Sequence, residues 1–220
     1  MTTPDANSRL SEPGKQSRGE HTRQLLIDAA FEEIYQNGYR AASLSDILAA
    51  AGATKGALYH HFPDKHALGL SAISENVDRH IKEQWLDPLA VSTDPITTIS
   101  EIFQGYASRA FGTGAPAGCP LNNLSQEMSS IDEAFRVYLE GIYERWRTGL
   151  CNALRRGQET GTVDAHIDPA ATAALIVALH QGIAGSLKAT RDPAVARTCL
   201  AGVSAYLNHL RNPITNNRTV

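Results

Sequence analysis

The sequence predicts an all-α chain of about nine helices, three short ones forming an N-terminal head and the rest a larger helical body. Three observations carry this. From Thr22 onward, apolar residues recur every three or four positions. No stretch shows the apolar–polar alternation of a convincing strand. Gly, Pro and Asn punctuate the pattern at helix-like intervals.

Leu25, Leu26, Ala29, Ala30 and Ile34 share the face of a first helix, which Asn37-Gly38 stops. "SLSD" (43–46) opens a second, short helix, with Ser43 as N-cap and Asp46 as its capping-box partner; Ala51-Gly52 ends it. Thr54 caps a third, closed by Pro63-Asp64, and a long helix runs from about Lys65 to Trp85. Beyond Pro88, the residues Ile96, Ile99, Phe103, Tyr106 and Ala110 form one stripe, ended by "GTGAPAG" (112–118). A short helix starts at Cys119. A long one follows from about Asp132 to Thr160, its inner face marked by Phe135, Leu139, Ile142, Trp146, Leu150 and Ala153. After the loop "GTVDAHIDP" (161–169), two final helices span about 169–190 and 193–211. The expected division is a mobile polar arm over 1–19, a head over 20–66, a body over 67–212 and a disordered tail over 213–220.

With 220 residues and 42% hydrophobic content, the chain has room for a buried core. Its longest apolar run, "AATAALIVAL" (170–179), falls short of the roughly 18 residues of a membrane helix, so no membrane partner is expected. The first twenty residues lack the apolar centre of a signal peptide, which implies a cytoplasmic location. Cys119, Cys151 and Cys199 are too few and too dispersed for a disulfide framework. His60, His61 and His66 lack the spacing and acidic partner of a helical zinc site. No phosphate loop, nucleophile elbow or paired acids stand out, so neither an enzyme nor a cofactor is expected. The net charge is −3, and residues 1–65 hold seven Lys/Arg against eight Asp/Glu. Any nucleic-acid role must therefore rest on where the charges sit.

The segment "ATKGALYHHF" (53–62) is where they sit. Two short helices joined at Ala51-Gly52-Ala53 have the form of a helix-turn-helix. At 100° per residue, Lys55, Gly56, Tyr59 and His60 fall within one arc of roughly 140°, while Ala57, Leu58, His61 and Phe62 fall opposite, with His61 expected to point inward. One face thus carries a charge, ring donors and a glycine that permits close approach, which suits phosphate and groove contact. The pattern alone fits an amphipathic surface helix equally well, and a protein–protein adaptor remains the rival reading.

The stretch "LLIDAAFEEIYQNGYRAASLSDILAAAGATKGALYHHFPDKHAL" (25–68) resembles the DNA-binding head of the TetR family of one-component bacterial repressors. The resemblance implies a homodimer, a palindromic double-stranded operator and a small-molecule effector bound in the body. By matching position it places Ser43, Ser45, Thr54, Lys55, Gly56, Tyr59, His60 and Lys65 against DNA. Lys15, Arg18 and Arg23 are candidates for added phosphate or minor-groove contacts.

In the body, "GCPLNNLSQEM" (118–128) resembles the G-C-x-x-x-N-L-x-Q-E helix start of a TetR subgroup that includes sensors of small reactive or unsaturated metabolites. A thiol at a helix N-terminus is expected to have a lowered pKa, which would make Cys119 a candidate sensor; the plainer reading is a small buried residue at a tight helix entry. Tyr106, Asn123, Trp146 and His180 join Cys119 as candidates for lining the effector pocket. The last two helices are apolar on one face, and Val177, Gln181, Leu200, Val203 and Leu207 are expected at a dimer interface.

Overall fold

The computed structural model describes residues 13–112 and 117–213 of the chain, with side chains from Arg18 onward. The described residues form nine helices and no strand. The 1–12 part of the expected arm, the Lys15 side chain and the 214–220 part of the expected tail lie outside the described residues. Residues 13–19 are helical: α1 spans Pro13–Asn37, starting well before Thr22.

The head packs α2 (Leu44–Ala51) and α3 (Lys55–His61) against α1. Its core is wholly apolar, with Leu26, Ile27, Ala30, Ile47, Leu48, Leu58 and Phe62 buried. The turn between α2 and α3 is a Schellman motif. Gly52 takes φ +60°, its N–H donates to the Ala49 carbonyl, and the Ala53 N–H donates to Leu48. Nothing lies within 4 Å of where a Gly52 Cβ would sit, so the glycine is there for its backbone angle.

The caps at Ser43 and Thr54 form as expected: each hydroxyl accepts from the third following N–H, that of Asp46 and Ala57 respectively. The return bond of the capping box is made by a different partner. The Ser43 N–H donates to the Glu33 carboxylate of α1, at 3.1 Å, which ties α2 to α1.

The fourth helix is longer than its sequence pattern suggests. α4 runs from Lys65 to Val91 as α-helical segments Lys65–Ala72, Asp78–Ile81 and Asp87–Val91 separated by wide turns at Ile73–Val77 and Lys82–Leu86. In the second wide turn the Asp87 N–H donates to Lys82, five residues back. This local widening lets the helix pass through Pro88, which would otherwise break it.

The rest of the body is α5 (Pro95–Gly112), α6 (Pro120–Met128), α7 (Glu133–Thr160), α8 (Pro169–Thr190) and α9 (Pro193–His209). Asp94, Asp132, Asp168 and Asp192 each accept backbone N–H bonds at the start of the helix that follows. α8 lies along α7, and α9 along α5 and α8. By length and composition α8 could cross a membrane, but here it serves as a core helix, burying Ala173, Ile176, Val177, His180, Ala184 and Leu187.

Candidate functional site: a nucleic-acid face and a buried polar cluster

The exposed side of α3 carries the donor set. Thr54, Lys55, Gly56, Tyr59 and His60 are all exposed, Tyr59 by 54%, while Leu58 and Phe62 anchor the opposite side. At the start of α2, the Ser43 and Ser45 hydroxyls lie 2.7 Å apart on the surface, turned to the same solvent.

Three expectations change here. Lys65 is tied down: its ammonium donates to the Ala42 carbonyl at 2.6 Å and lies 4.9 Å from the centre of the Tyr39 ring. It braces the turn before α2, although a third donor remains. Arg23 is committed to Glu75 of α4 at 2.6 Å and stacks over Phe62, so it fastens the head to α4. His61 is half-buried, edge-on to His60, and its pKa is held down by burial, then by His60 and Arg23.

Inside the body, His180 stands at the centre of an aromatic cage. The rings of Tyr106, Trp85, Trp146 and Phe103 lie 4.8, 5.2, 5.3 and 5.9 Å from it. Burial, with smaller contributions from His80 and Arg109, pushes the His180 pKa down to about 3, so the imidazole is neutral. Among the described residues, five buried side-chain polar atoms make no hydrogen bond of ordinary geometry within the protein: Tyr106 Oη, Trp146 Nε1, His180 Nδ1 and both amide atoms of Gln181, which lies beside the Cys119 thiol. Buried polar groups are nearly always paired, and each unpaired one costs about 1–3 kcal/mol. Here such atoms gather on three adjoining helices.

Cys119 belongs to this cluster, and its burial works against a thiolate there. It is the N-cap of α6 and only 2% exposed. Burial pushes its thiol pKa up, against the pull of the Leu121 and Asn122 amides and the neighbouring Gln181 amide. The expected lowering by the helix start is real in direction, but desolvation outweighs it. Asn123 sits apart from the cage: its amide donates to the Ala117 carbonyl and helps close the loop before α6. Trp85, Phe103 and Gln181 are cluster members that the sequence did not assign there. A cleft of about 430 Å³ opens beside the cage, lined by Tyr35, His80, Tyr106, Arg109 and Gly118 among others.

The dimer expectations also shift. Val177, Val203 and Leu207 are buried within the chain, and Leu200 is half-buried against the core, so these offer little surface to a second copy. Gln181 has its amide atoms in the internal cluster. The outer face of α8 and α9 instead exposes Ala174, Leu175, Ala178, Gly182, Ala201 and Gly202, beside a groove of about 340 Å³ reaching Leu179 and Tyr206.

Residues 26–72 match the model for bacterial regulatory proteins of the tetR family, and residues 95–203 match the tetracyclin repressor-like C-terminal domain. The chain is 32% identical to the transcriptional regulator AcuR of Cereibacter sphaeroides, over 68% of each chain. The chain belongs to the TetR family. It is a DNA-binding transcriptional regulator, not an enzyme. It is also 29% identical to the transcriptional repressor DhaR of a Mycobacterium species, over 77% of this chain and 84% of that one. Among solved structures, a TetR regulatory protein from Rhodobacter sphaeroides superimposes with a TM-score of 0.74 at 26% identity, covering 84% of this chain and 97% of that one. A regulator from Chloroflexus aurantiacus, at 24% identity and a TM-score of 0.77, shares the fold.

Proposed function

We propose that this TetR-family regulator is a cytoplasmic repressor that binds a palindromic operator as a homodimer and lets go when a small organic effector occupies the cluster around His180. The observation that carries the effector site is the gathering of three unpaired buried polar atoms, Tyr106 Oη, Trp146 Nε1 and His180 Nδ1, in one aromatic cage, with the Gln181 amide next along α8 beside Cys119. Trp146 Nε1 can only donate, while the Tyr106 hydroxyl, the Gln181 amide and the neutral His180 can each donate or accept. Such a lining suits an uncharged or singly anionic molecule with a carbonyl-type acceptor and a flat or apolar body, which would gain bonds that the protein leaves unmade. The neutral cage and the buried thiol favour reversible binding over covalent capture.

On DNA, Lys55, Tyr59 and His60 with the hydroxyls of Ser43, Ser45 and Thr54 supply the contacts, and Gly56 allows the backbone close. Repression is supported by the name of the DhaR relative. Dimerisation is assigned to the outer face of α8 and α9, where Gly and Ala allow close helix approach. The test is fluorescence anisotropy with a duplex carrying the palindrome upstream of the chain's own gene, across a salt series, followed by a screen of small carbonyl and carboxylate compounds for release. Binding that weakens steeply with salt and is reversed by one compound class supports the reading. Binding to the duplex no tighter than to random DNA would sink it.

A further inference from the structure

We propose that the cleft beside the cage is the acid-binding half of the effector site: His80 and Arg109 hold the carboxylate of an organic acid whose apolar body enters the cage past Tyr106. The inference deepens the effector reading and rests on it.

Two helices deliver the groups. α4 sends Trp85 into the cage and His80 to the wall of the cleft. α5 carries Phe103, Tyr106 and Arg109 at three-residue steps, the first on the cage, the second on both cavities and the third on the cleft. The lining thus changes along one helix from apolar ring to hydroxyl to guanidinium, over a rise of about 9 Å. Gly105 leaves room for the last of these: a Cβ there would crowd Arg109 Nη1 at 3.1 Å. The Tyr106 hydroxyl stands where the two cavities meet. It is buried and makes no hydrogen bond of ordinary geometry.

The charges on the cleft favour an anion. Among the described residues no carboxylate lines it. Burial, then Arg109, hold the His80 pKa down, against the pull of Glu83, which is exposed. His80 and Arg109 are therefore within electrostatic reach of each other and can share one acid group. A guanidinium has five N–H donors in a planar fork, so whatever bonds Arg109 makes to the protein, an edge is left for a carboxylate. The His80 ring makes no hydrogen bond among the described residues and supplies a further donor. On the other side of Tyr106, the neutral His180 among its aromatic rings asks for an apolar body. An acid whose carboxylate and far end stand about 9 Å apart fills both halves, and a shorter one fills only the cleft.

The test compares acids with their own amides, which keep the shape and lose the charge. Hexanoate and phenylacetate are titrated into the full chain beside hexanamide and phenylacetamide, with acetate as the acid too short to reach the cage. Affinity is read by calorimetry. The chain has two tryptophans, Trp85 and Trp146, both buried in the cage with rings 4.9 Å apart, so their emission reports entry of the apolar body. Release of a labelled operator duplex is read by anisotropy.

In wild type at least one of the two longer acids binds, shifts emission and releases operator. Its amide and acetate each bind about tenfold more weakly or worse. Arg109→Gln and His80→Gln each narrow the gap between acid and amide while leaving the amide's affinity unchanged, a change of selectivity that mere loosening of the fold would not give. If one variant does not fold, the other decides. An amide that binds as well as its acid, a gap that persists in the variants, or acetate as tight as the longer acids overturns the acid subsite while leaving the cage as an effector site. Failure of both acids to bind overturns it too. An acid that binds with the expected gap yet leaves emission and operator unchanged fails the effector reading itself, and the inference with it.

Discussion

The head and the body handle polar atoms in opposite ways. In the head, every buried side chain is apolar, and the groups that carry chemistry stand outside on α3. In the body, polar atoms of Tyr106, Trp146, His180 and Gln181 are taken inside, and several of them make no hydrogen bond of ordinary geometry. The head thus separates stability from function, so its DNA face can change without loosening the fold. The body merges the two, and any change at its site alters stability as well as binding.

The largest effect is expected on the surface that neither region uses internally. Nothing lies within 4 Å of a Cβ placed at Gly182 or Gly202. Glu at either position fits the single chain and even favours helix. It would set a charge between two copies that must approach closely, at a cost of several kcal/mol. Gly182→Glu and Gly202→Glu should sediment as folded monomers. A persistent dimer would move the interface off α8 and α9.

Next in size is the pH response of the body. His180 is held neutral with a pKa of about 3, far below the ordinary 6.5. Between those values the unfolded chain takes up a proton that the folded chain refuses. The stability from this site is therefore complete above about pH 6.5 and drains away as the pH falls toward 3, by up to roughly 4 kcal/mol. Urea midpoints from pH 7.5 to pH 4 should fall steeply in wild type and less in His180→Gln. Parallel curves would mean that the cage is solvated.

The head should respond in the other way. Lys55→Ala and Tyr59→Ala remove exposed donors only, so each should weaken operator binding by about 1–3 kcal/mol with the melting temperature unchanged. Loss of stability in either variant would break the separation of face from core.

Much of this contrast was legible in the sequence. The head was readable because its signals are local: Ser43 and Thr54 as caps, Gly52 as the left-handed turn residue, and the arc of Lys55, Tyr59 and His60. The body was readable as stripes, but a stripe does not say which neighbour covers it. Val203 and Leu207 carry the same apolar signal whether they face α5 or a second copy, and they face inward. Cys119 was placed correctly at a helix start, yet burial, which sequence spacing does not show, outweighs the pull of the helix-start amides and of Gln181 on its thiol. Lys65 was assigned to DNA and Arg23 to an added DNA contact, and spacing could not show that they also hold the Ala42 carbonyl and Glu75 respectively, which come from other elements. Pro88 stopped the sequence reading short because a wide turn, which lets a helix pass through proline, leaves no mark in the pattern.

The smallest effect is the sharpest test of the body's bargain. The Tyr106 hydroxyl is buried without a partner, and burial raises its pKa well above that of a free tyrosine. Removing one oxygen leaves the ring in place against His180 at 4.8 Å. A hydroxyl that serves only packing would leave stability unchanged or lower when deleted. An unpaired hydroxyl kept for a ligand should do the reverse, so Tyr106→Phe should raise stability by about 1 kcal/mol, because the folded chain no longer strips water from a group it cannot bond. The same variant should keep operator affinity and need more effector for release, since the effector loses one bond. A denaturation midpoint at or below wild type would place an ordered water on that hydroxyl, and the cage would then be a hydrated core rather than a binding site.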